Sequence, residues 1–397
     1  MTTTTATTID APAVRPADIE PVRIAVIGVG LISTSVHLPV LRRSPLAELR
    51  VVSDLDEVRA RDVAHRYGAR VADVPSLLAD DDVEAVLIAT PGNHAQIARD
   101  ALRAGKHVLA EKPLALTVAE ADEVGALAEQ AGRVLQVGYM KMYDAVIPPA
   151  HRAVAEMGDI RLVEVSVRHP DDSRQTGHLR LTARIPLVPA AAEAARVADA
   201  EDGERVRMAV GDVPPAWQRL YRSVLCGSVL HELSLLRAVG IGLPESFDHA
   251  DVFPWPTDGG PPSITATATL SPTSRLVLSW NWLPEYAQYE EQLRVLSADG
   301  GLRMDVAPPY VLDAPSGLEV VRAAEGGSGT RTTRTVAGFD GAFQRQLEAF
   351  AGSVRHGEPV LADAAGAAQD IRCLQQLFRT LAARHGVEVG GEAGRLP

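Results

Sequence analysis

The sequence predicts an α/β protein in which a parallel sheet comes first and a largely antiparallel sheet follows. Two observations support this prediction. In the first third of the chain, short apolar runs alternate with helix-like stretches, as in a parallel sheet covered by helices. Between residues 265 and 322, successive strand-like runs are separated only by Gly, Pro and Ser turns, which indicates antiparallel pairing.

The first elements form a unit of strand, glycine turn, helix and strand. The β-branched run Val22–Ile27 leads directly into Gly28-Val29-Gly30, and a helix is expected from there to about Arg43. A second apolar strand follows and ends at Asp54. This order is typical of a dinucleotide-binding Rossmann unit.

Each residue of that motif has a physical role in dinucleotide binding. Gly28 permits the tight turn, and Gly30 lets the backbone approach a pyrophosphate at the helix N-terminus. Ser33 replaces the third glycine of the pattern, at some cost in helix packing. Asp54 is placed to accept hydrogen bonds from the ribose, with Asp56 as a competitor. Because a carboxylate repels a 2′-phosphate, we expect NAD rather than NADP.

The alternation continues to residue 137. Strands are predicted at residues 83–89 and 106–110, and they end at Thr90-Pro91 and at Glu111-Lys112-Pro113. Helices at about 95–104 and 118–131 and a strand at 134–137 complete the pattern. Ligands of open α/β sheets bind at the carboxyl ends of the strands, so both motifs are expected at the site.

Lysine usage draws attention to the same window. Of 39 Lys and Arg residues only three are lysines, namely Lys106, Lys112 and Lys141. A lysine ammonium is compact and its pKa is tunable, whereas Arg stays protonated. Lys112 is therefore a candidate for a role beside a reacting oxygen, Lys141 is a candidate neighbour, and Lys106 is expected to be scaffold.

Bulk properties exclude several classes of protein. A chain of 397 residues exceeds one core and predicts two domains. A formal charge of −12 argues against a nucleic-acid partner, and no apolar run is long enough for a membrane span. Two cysteines fit a cytoplasmic location, and no metal-ligand spacing occurs. The predicted boundaries are a disordered leader at 1–21, a Rossmann domain at 22–144 and a second domain at 145–397.

The chain resembles the glucose-fructose oxidoreductase/inositol 2-dehydrogenase/MocA family. The resemblance rests on Gly28-Val29-Gly30, on Ala89-Thr90-Pro91, and above all on Ala104-Gly105-Lys106-His107-Val108 running into Glu111-Lys112-Pro113. It implies a second α/β domain built on a large, mostly antiparallel sheet, which commonly forms a homodimer or homotetramer interface. It also implies hydride transfer between a nicotinamide and a secondary alcohol or ketone of a sugar, cyclitol or nucleotide sugar.

Site residues follow from the motif and the resemblance together. Lys112 matches the family lysine that contacts the reacting oxygen, and a cis bond at Pro113 would fix its direction. The expected cofactor contacts are Gly28, Gly30, Leu31, Ile32, Asp54, Thr90, Pro91, Asn93, His94, Glu111 and Lys112. The expected substrate contacts are Lys141, Arg168 and His231.

One part of the family pattern is missing. His231 takes the position of the family's histidine and is the candidate acid/base, against the alternative of a structural histidine on a half-buried helix. Gly227 stands where the family usually has Asp, and Ser234 stands where another Asp often follows. A carboxylate partner for the imidazole is therefore absent. Glu232 is expected to face elsewhere.

The second domain begins with a half-buried strand at 161–167. Residues 169–218 then form an insertion whose arginines could bind a phosphate or carboxylate, or simply face solvent. Trp280 and Trp282 share a strand face, which favours core or interface packing over stacking on a sugar. Helices are predicted at 343–355 and 364–385.

Three functions remain open at this stage. The first is a nicotinamide-dependent oxidoreductase that uses Lys112 and His231. The second is a non-catalytic dinucleotide-binding regulator of the same fold, which the loss of Asp at position 227 favours. The third is a net non-redox enzyme in which NAD is recycled.

Overall fold

The protein is described here by a computed structural model that covers residues 20–179, 186–254, 260–324 and 329–396. Residues 1–19 of the predicted leader lie outside the described residues, as do Arg180 and Arg184 of the predicted insertion. Within the described ranges, no helix is long and apolar enough to cross a membrane.

A parallel sheet forms the N-terminal half, as predicted. Its six strands are β1 (Val22–Ile27), β2 (Ala47–Ser53), β3 (Arg70–Val71), β4 (Ala85–Ile88), β5 (His107–Ala110) and β6 (Leu135–Val137). Its helices are α1 (Leu38–Arg43), α2 (Glu57–Tyr67), α3 (Val74–Leu78), α4 (Ala95–Arg103) and α5 (Val118–Ala131). The strand order is β3-β2-β1-β4-β5-β6, so the chain reverses its winding direction next to β1. The glycine turn after β1 therefore lies at the switch point where such sheets bind ligands.

The second sheet has eight strands. They are β7 (Ile160–His169), β8 (His249–Phe253), β9 (Ser263–Thr269), β10 (Arg275–Trp282), β11 (Glu290–Ser297), β12 (Gly300–Val306), β13 (Gly317–Ala323) and β14 (Thr330–Val336). Their order is β14-β13-β12-β11-β7-β10-β9-β8. All pairs are antiparallel except that between β10 and β7. The predicted simple meander is wrong at this point, because β7 lies between β10 and β11.

The other α-helices of the described residues lie outside the first sheet's sequence. They are α6 (Ile147–Ala155), α7 (Asp172–Thr176), α8 (Pro189–Val210), α9 (Pro215–Arg219), α10 (Leu230–Ala238), α11 (Ala342–His356) and α12 (Ala364–Arg384). Of these, only α6 connects a strand of the first sheet to one of the second. The C-terminal helix α11 returns to the first sheet, where Phe350 and Leu347 join the apolar cluster of β1 and β2. Arg355 pairs there with Glu84 at 2.7 Å. The end of the chain thus covers one face of the N-terminal sheet.

Candidate active site

Two adjoining cavities lie between the carboxyl edge of the parallel sheet and the second sheet. The first has a volume of about 380 Å³ and the second about 440 Å³. Their shared wall consists of Lys112, His169, Ser223, Gly227, Ser228 and Tyr310. The first cavity also receives Thr90, Pro91 and Glu111 from the parallel sheet and His231 from α10. The structure therefore brings together the ends of β4 and β5 and the predicted histidine.

The glycine turn has the shape that a dinucleotide requires. Gly28 has φ of +91°, and a β-carbon there would meet the backbone of Ala89 at 2.8 Å, so the fold itself demands glycine. A β-carbon on Gly30 would meet nothing within 4 Å. No packing reason thus accounts for Gly30, whereas the approach of a pyrophosphate to bare backbone would. The turn fits the cofactor that the sequence predicts.

The two candidate ribose carboxylates have different surroundings. Asp54 is half-buried at the end of β2, and its Oδ2 accepts a hydrogen bond from the Val29 backbone N–H at 2.8 Å. Asp56 is the N-cap of α2, and it also accepts from the Val188 backbone N–H at 3.2 Å. Both carboxylates thus accept backbone bonds, since Asp54 Oδ1 also accepts from the Asp56 backbone N–H at 2.9 Å, but only Asp54 bonds the glycine turn itself.

Ser33 keeps the first helix close to the turn. It is fully buried, and its hydroxyl donates to the Gly28 carbonyl at 2.5 Å. The helix begins at Leu31 and continues as a π-helical segment at Ser33–His37. Ile32 reaches the first cavity, whereas the half-buried Leu31 is not among the residues that line it.

The loop after β4 divides into lining residues and supporting residues. Thr90 and Pro91 line the first cavity, but Asn93 and His94 line neither cavity. The His94 ring is 1% exposed and lies 2.8 Å from the carbonyl oxygens of both Thr90 and Pro113. Asn93 bonds Glu120 and the first residue of α4. The polar side-chain atoms of Asn93 and His94 thus hold this loop in place, and their contact with a cofactor stays a prediction.

Glu111 is buried beneath the cavity and paired. Its Oε1 lies 2.7 Å from His37 Nε2, a partner that the sequence did not predict. Burial disfavours the carboxylate, but the hydrogen bond from His37 and the nearby positive charges outweigh it and lower the pKa of Glu111. Glu111 thus contributes a fixed negative charge next to Lys112.

Lys112 lies on the shared wall of the two cavities. The Lys112–Pro113 peptide bond is cis, and Nζ donates to the Gly227 carbonyl oxygen at 2.6 Å. Burial lowers the pKa of Lys112, Glu111 opposes this, and the positive charge of Lys141 adds to the lowering. The Lys112 ammonium thus has a neutral backbone carbonyl as its partner. It borders the first cavity on one side and the second cavity on the other.

Gly227, at the position of the expected aspartate, meets Lys112 through its backbone. Gly227 lies in a π-helical segment, Leu220–Val229, just before α10. Such segments frequently occur at functional sites. A β-carbon at Gly227 would meet only the Arg222 carbonyl oxygen, at 3.6 Å, so a side chain fits at this position. In its absence, the backbone carbonyl is the partner of Lys112.

His231 reaches the first cavity, and no carboxylate bonds its ring within the described part of the chain. Its Nδ1 is buried without a hydrogen-bond partner among the described residues. Ser234 does not orient the ring, because its hydroxyl donates to the His231 backbone carbonyl. Burial and the positive charges of Lys112 and Lys141 lower the pKa of His231 well below its ordinary value. The imidazole is therefore neutral at neutral pH.

Lys141 lies in a cluster of carboxylates that the sequence did not predict. Its Nζ is 3.1 Å from Glu232 and 2.5 Å from Glu291, and all three side chains are almost fully buried. Tyr289 donates to Glu291 at 2.6 Å. Burial would lower the pKa of Lys141, but the two carboxylates outweigh it and raise the pKa. Glu232 faces away from the cavity, as expected, and burial raises its pKa to about 7.

Arg168, a predicted substrate contact, lies on the face of β7 opposite the buried valines. Val163, Val165 and Val167 are buried, so strand alternation places Arg168 on the exposed face, where it pairs with Glu290. The next residue, His169, lines both cavities instead. The same alternation in the sequence could have identified His169.

An aromatic platform lines the second cavity. The rings of Trp280 and Trp282 stack with centroids 6.5 Å apart, and His169 stacks on Trp282 at 5.5 Å. Trp280 is buried and donates to the Ser228 hydroxyl at 2.8 Å, whereas Trp282 is half-buried. The shared strand face is confirmed, and this face borders the cavity.

Other predicted residues lie away from the chemistry. Lys106 is buried and donates to the carbonyl oxygens of Asp80 and Val83, both at 2.8 Å, which makes it scaffold as expected. Of the basic residues near the insertion, Arg174 pairs with Glu285 at the surface. Arg219 and Arg222 instead line the cavities. Among the described residues, no group of His, Cys, Asp and Glu could hold a metal ion.

Comparison with known proteins finds similarity to one family in the N-terminal Rossmann region. Residues 22–139 match the model of the oxidoreductase family with an NAD-binding Rossmann fold. The dTDP-3,4-didehydro-2,6-dideoxy-alpha-D-glucose 3-reductase of Actinomadura kijaniata is 36% identical over 178 residues, which are 43% of this chain and 52% of the relative. Inositol 2-dehydrogenase of Rubrobacter xylanophilus is 42% identical over 143 residues, 35% of this chain and 40% of the relative. The chain thus spans about half the length of these relatives or less.

Solved structures extend the similarity in fold to nearly the whole chain. KijD10, a 3-ketoreductase from Actinomadura kijaniata in complex with NADP, has a TM-score of 0.65 at 21% identity and covers 92% of this chain and 97% of its own. GenD2 from gentamicin A biosynthesis, in complex with NAD, has a TM-score of 0.66 at 21% identity and covers 94% and 97%. At 21% sequence identity, the similarity to these two structures establishes the fold alone. Over residues 22–139 the chain is similar to the Gfo/Idh/MocA oxidoreductase family, and over nearly its whole length it shares the fold of these solved structures.

Proposed function

We propose that this protein is a nicotinamide-dependent oxidoreductase that interconverts a secondary alcohol and a ketone on a polyhydroxylated small molecule. The observation that carries the proposal is the meeting of Lys112 and His231 on one cavity wall at the carboxyl edge of a dinucleotide-binding sheet. A bound nicotinamide supplies the hydride acceptor or donor. The protein then has to hold the oxygen and move one proton.

Lys112 is proposed to hold the reacting oxygen. During oxidation the alcohol loses a proton and a hydride, and its oxygen gains negative charge before the carbonyl forms. An ammonium in a poorly solvated cavity stabilises that charge more strongly than one in water does. Since its partner in the protein is a neutral carbonyl, Lys112 retains N–H donors for a substrate.

His231 is proposed to exchange the proton. Its lowered pKa keeps the imidazole neutral, so that it can accept the alcohol proton in the oxidation direction. The same shift makes it a strong acid once protonated, which suits proton return to a ketone oxygen during reduction. No carboxylate bonded to His231 stabilises its protonated form, so the imidazolium is short-lived. Stabilisation of the charge on the reacting oxygen is then due mainly to Lys112.

The second cavity supports a substrate larger than a single ring. The aromatic platform of His169, Trp280 and Trp282 offers a flat apolar surface of the kind that packs on sugar rings or bases. Arg219 lines the same cavity, and no partner for its guanidinium is found within the described part of the chain. A guanidinium there would recognise a phosphate or carboxylate. We therefore favour a nucleotide sugar or another anionic glycoside as substrate.

NAD is the proposed cofactor. Asp54 presents a carboxylate beside the glycine turn, where the ribose hydroxyls would bond it and a 2′-phosphate would be repelled. Titration of the protein with NADH and with NADPH, followed by nicotinamide fluorescence, tests this choice. Tighter binding of NADPH would reject it.

A non-catalytic dinucleotide-binding function is the second candidate. Gly227 favours it, because the loss of the aspartate removes the usual partner of the histidine. Retention of Lys112 and His231 in the cavity wall counts against it.

Turnover decides between the two candidates. Purified protein would be loaded with NAD+ and mixed with a panel of nucleotide sugars, sugar acids, free sugars and cyclitols while absorbance at the reduced nicotinamide band is recorded. We expect reduction with at least one anionic glycoside. Tight cofactor binding without any spectral change, in either direction of reaction, would support the regulator.

A further inference from the structure

We infer that α8 forms the outer wall of the cofactor site, so that the dinucleotide binds in a channel between the glycine turn and this helix. The inference rests on the proposed function in that it takes a dinucleotide as the ligand. It goes further by giving the insertion a role, and it predicts that α8 must lift before the cofactor can leave.

The helix is attached to the parallel sheet on both sides of the glycine turn. Before its first residue, the Val188 backbone N–H donates to Asp56, just beyond β2. Fourteen residues later, Asp202 accepts from the Asn93 backbone N–H at 3.2 Å, in the loop after β4. Since β2 and β4 flank β1, the helix spans the end of β1. At 1.5 Å per residue, the distance between these attachments along α8 is about 21 Å.

The attachment at Asp202 is close and specific. Its Oδ2 lies 1.9 Å from the position that a β-carbon on Gly92 would take, so only glycine allows the helix to approach. Arg205 then pairs with Glu120 in the first turn of α5, at 3.0 Å. Asp202 is 8% exposed and Val206 is 1% exposed. The C-terminal half of α8 is therefore firmly packed.

Between its attachments, α8 meets the rest of the protein at Asp199, which pairs with Arg222 at 2.5 Å, and the alanines beside Asp199 are less tightly covered than the two ends. Ala191, Ala195, Ala198 and Asp202 follow helical spacing and share one face. Ala191 is buried, yet Ala195 is only half-buried and Ala198 is exposed. A face that is buried at both ends and open in the middle spans a gap.

The inferred channel includes the part of the turn that has no packing partner among the described residues. Gly30 has nothing within 4 Å of a β-carbon position, although α8 crosses the end of the same strand. Small side chains on α8 and bare backbone on the turn thus face a common space. A dinucleotide stretched from Asp54 toward Lys112 would pass through it, and the alanines would leave room for its pyrophosphate.

The first test fills the channel. Ala195→Leu adds three carbons on the inward face, and Ala200→Leu adds the same group on the opposite face of α8, which is exposed. NADH affinity is measured by nicotinamide fluorescence, with circular dichroism to confirm folding. We expect Ala195→Leu to weaken NADH binding about tenfold or more and Ala200→Leu to leave it unchanged.

The second test loosens the helix without entering the channel. Arg205→Gln removes the ion pair with Glu120, whereas Arg207→Gln removes only a pair with Glu204 inside α8. Stopped-flow displacement of NADH by excess NAD+ measures release. We expect release about fivefold faster for Arg205→Gln and unchanged for Arg207→Gln.

Hydrogen exchange provides a measurement without mutation. If α8 closes over the cofactor, saturating NADH slows the exchange of the amides of residues 190–202 in the wild-type protein. Wild-type NADH affinity in Ala195→Leu, or unchanged exchange in α8 on NADH binding, would overturn the inference and leave the proposed function standing. Failure of the wild-type protein to bind NADH or NADPH would overturn the proposed function itself.

Discussion

Lys112 and Lys141 line the same cavity, yet their surroundings are opposite. Lys112 bonds one backbone carbonyl, and burial lowers its pKa. Lys141 is paired with Glu232 and Glu291, and these carboxylates raise its pKa despite burial. Both lysines are buried, so the carboxylates around each one, rather than depth, account for the opposite directions in which their pKa values shift. One ammonium can respond to a substrate, and the other is fixed.

Removing Lys141, the lysine paired with two carboxylates, should have the largest effect on the free energy of unfolding. Lys141→Met leaves two carboxylates buried without their cation, and we expect the free energy of unfolding to fall by about 3–5 kcal/mol. Urea denaturation followed by circular dichroism measures this. Lys141→Met combined with Glu232→Gln and Glu291→Gln should recover most of the loss. A loss that persists in the triple variant would show that packing, not charge pairing, is the main role of Lys141.

Removing Lys112 should affect turnover rather than the stability of the fold. Lys112→Met removes the donor to the reacting oxygen, and we expect kcat to fall about 10²–10³-fold. Thermal denaturation should shift little, because Lys112 has no buried carboxylate bonded to its Nζ. Activity near wild type in Lys112→Met would refute its proposed role.

The carboxylate cluster should also give the protein a pH-dependent stability. The pKa of Glu232 is about 7 in the folded protein against an ordinary 4.5, so the folded state holds a proton that the unfolded state releases between these values. Stability should therefore fall by about 1–3 kcal/mol as pH rises from 4.5 to 7. Glu232→Gln should flatten this slope in urea denaturation at pH 5 and pH 7.5. Glu201→Gln, at an exposed position, is the control, and this variant should keep the same dependence of stability on pH.

The smallest effect is expected from giving Lys112 a carboxylate neighbour, which Lys141 already has. Gly227→Asp places a carboxylate beside Lys112, in a position where a β-carbon has only an ordinary contact. An opposite charge favours the ammonium, so the pKa of Lys112 should rise. The alkaline limb of the kcat/KM profile should then move up by about one pH unit. Gly227→Asn, with the same shape and no charge, should leave the limb in place.

The sequence predicted the N-terminal half well because its signals are local. Each buried strand ends at a short motif, and the carboxyl ends of parallel strands must meet at one edge. Gly28, Thr90 and Lys112 could therefore be placed near one another before any coordinates were considered. Which residues of one strand-end motif lie near each other follows from their spacing in the sequence.

The second half was harder to predict because its contacts are distant in sequence. Glu291 meets Lys141 across 150 residues, and nothing in either local pattern signals this pair. The strand β14 has no apolar alternation, since most of it is exposed, and so it was not predicted. The position of β7 between β10 and β11 likewise depends on a crossover that spacing does not encode.

The bridge formed by α8 has a consequence for how the protein would respond inside a cell. A dinucleotide that leaves slowly is not exchanged with the free pool at each turnover. It would instead be oxidised by one substrate and reduced by the next while it stays in place. The balance between the alcohol and ketone forms of its own substrates, rather than the cellular ratio of NAD+ to NADH, would then set the direction in which the protein works.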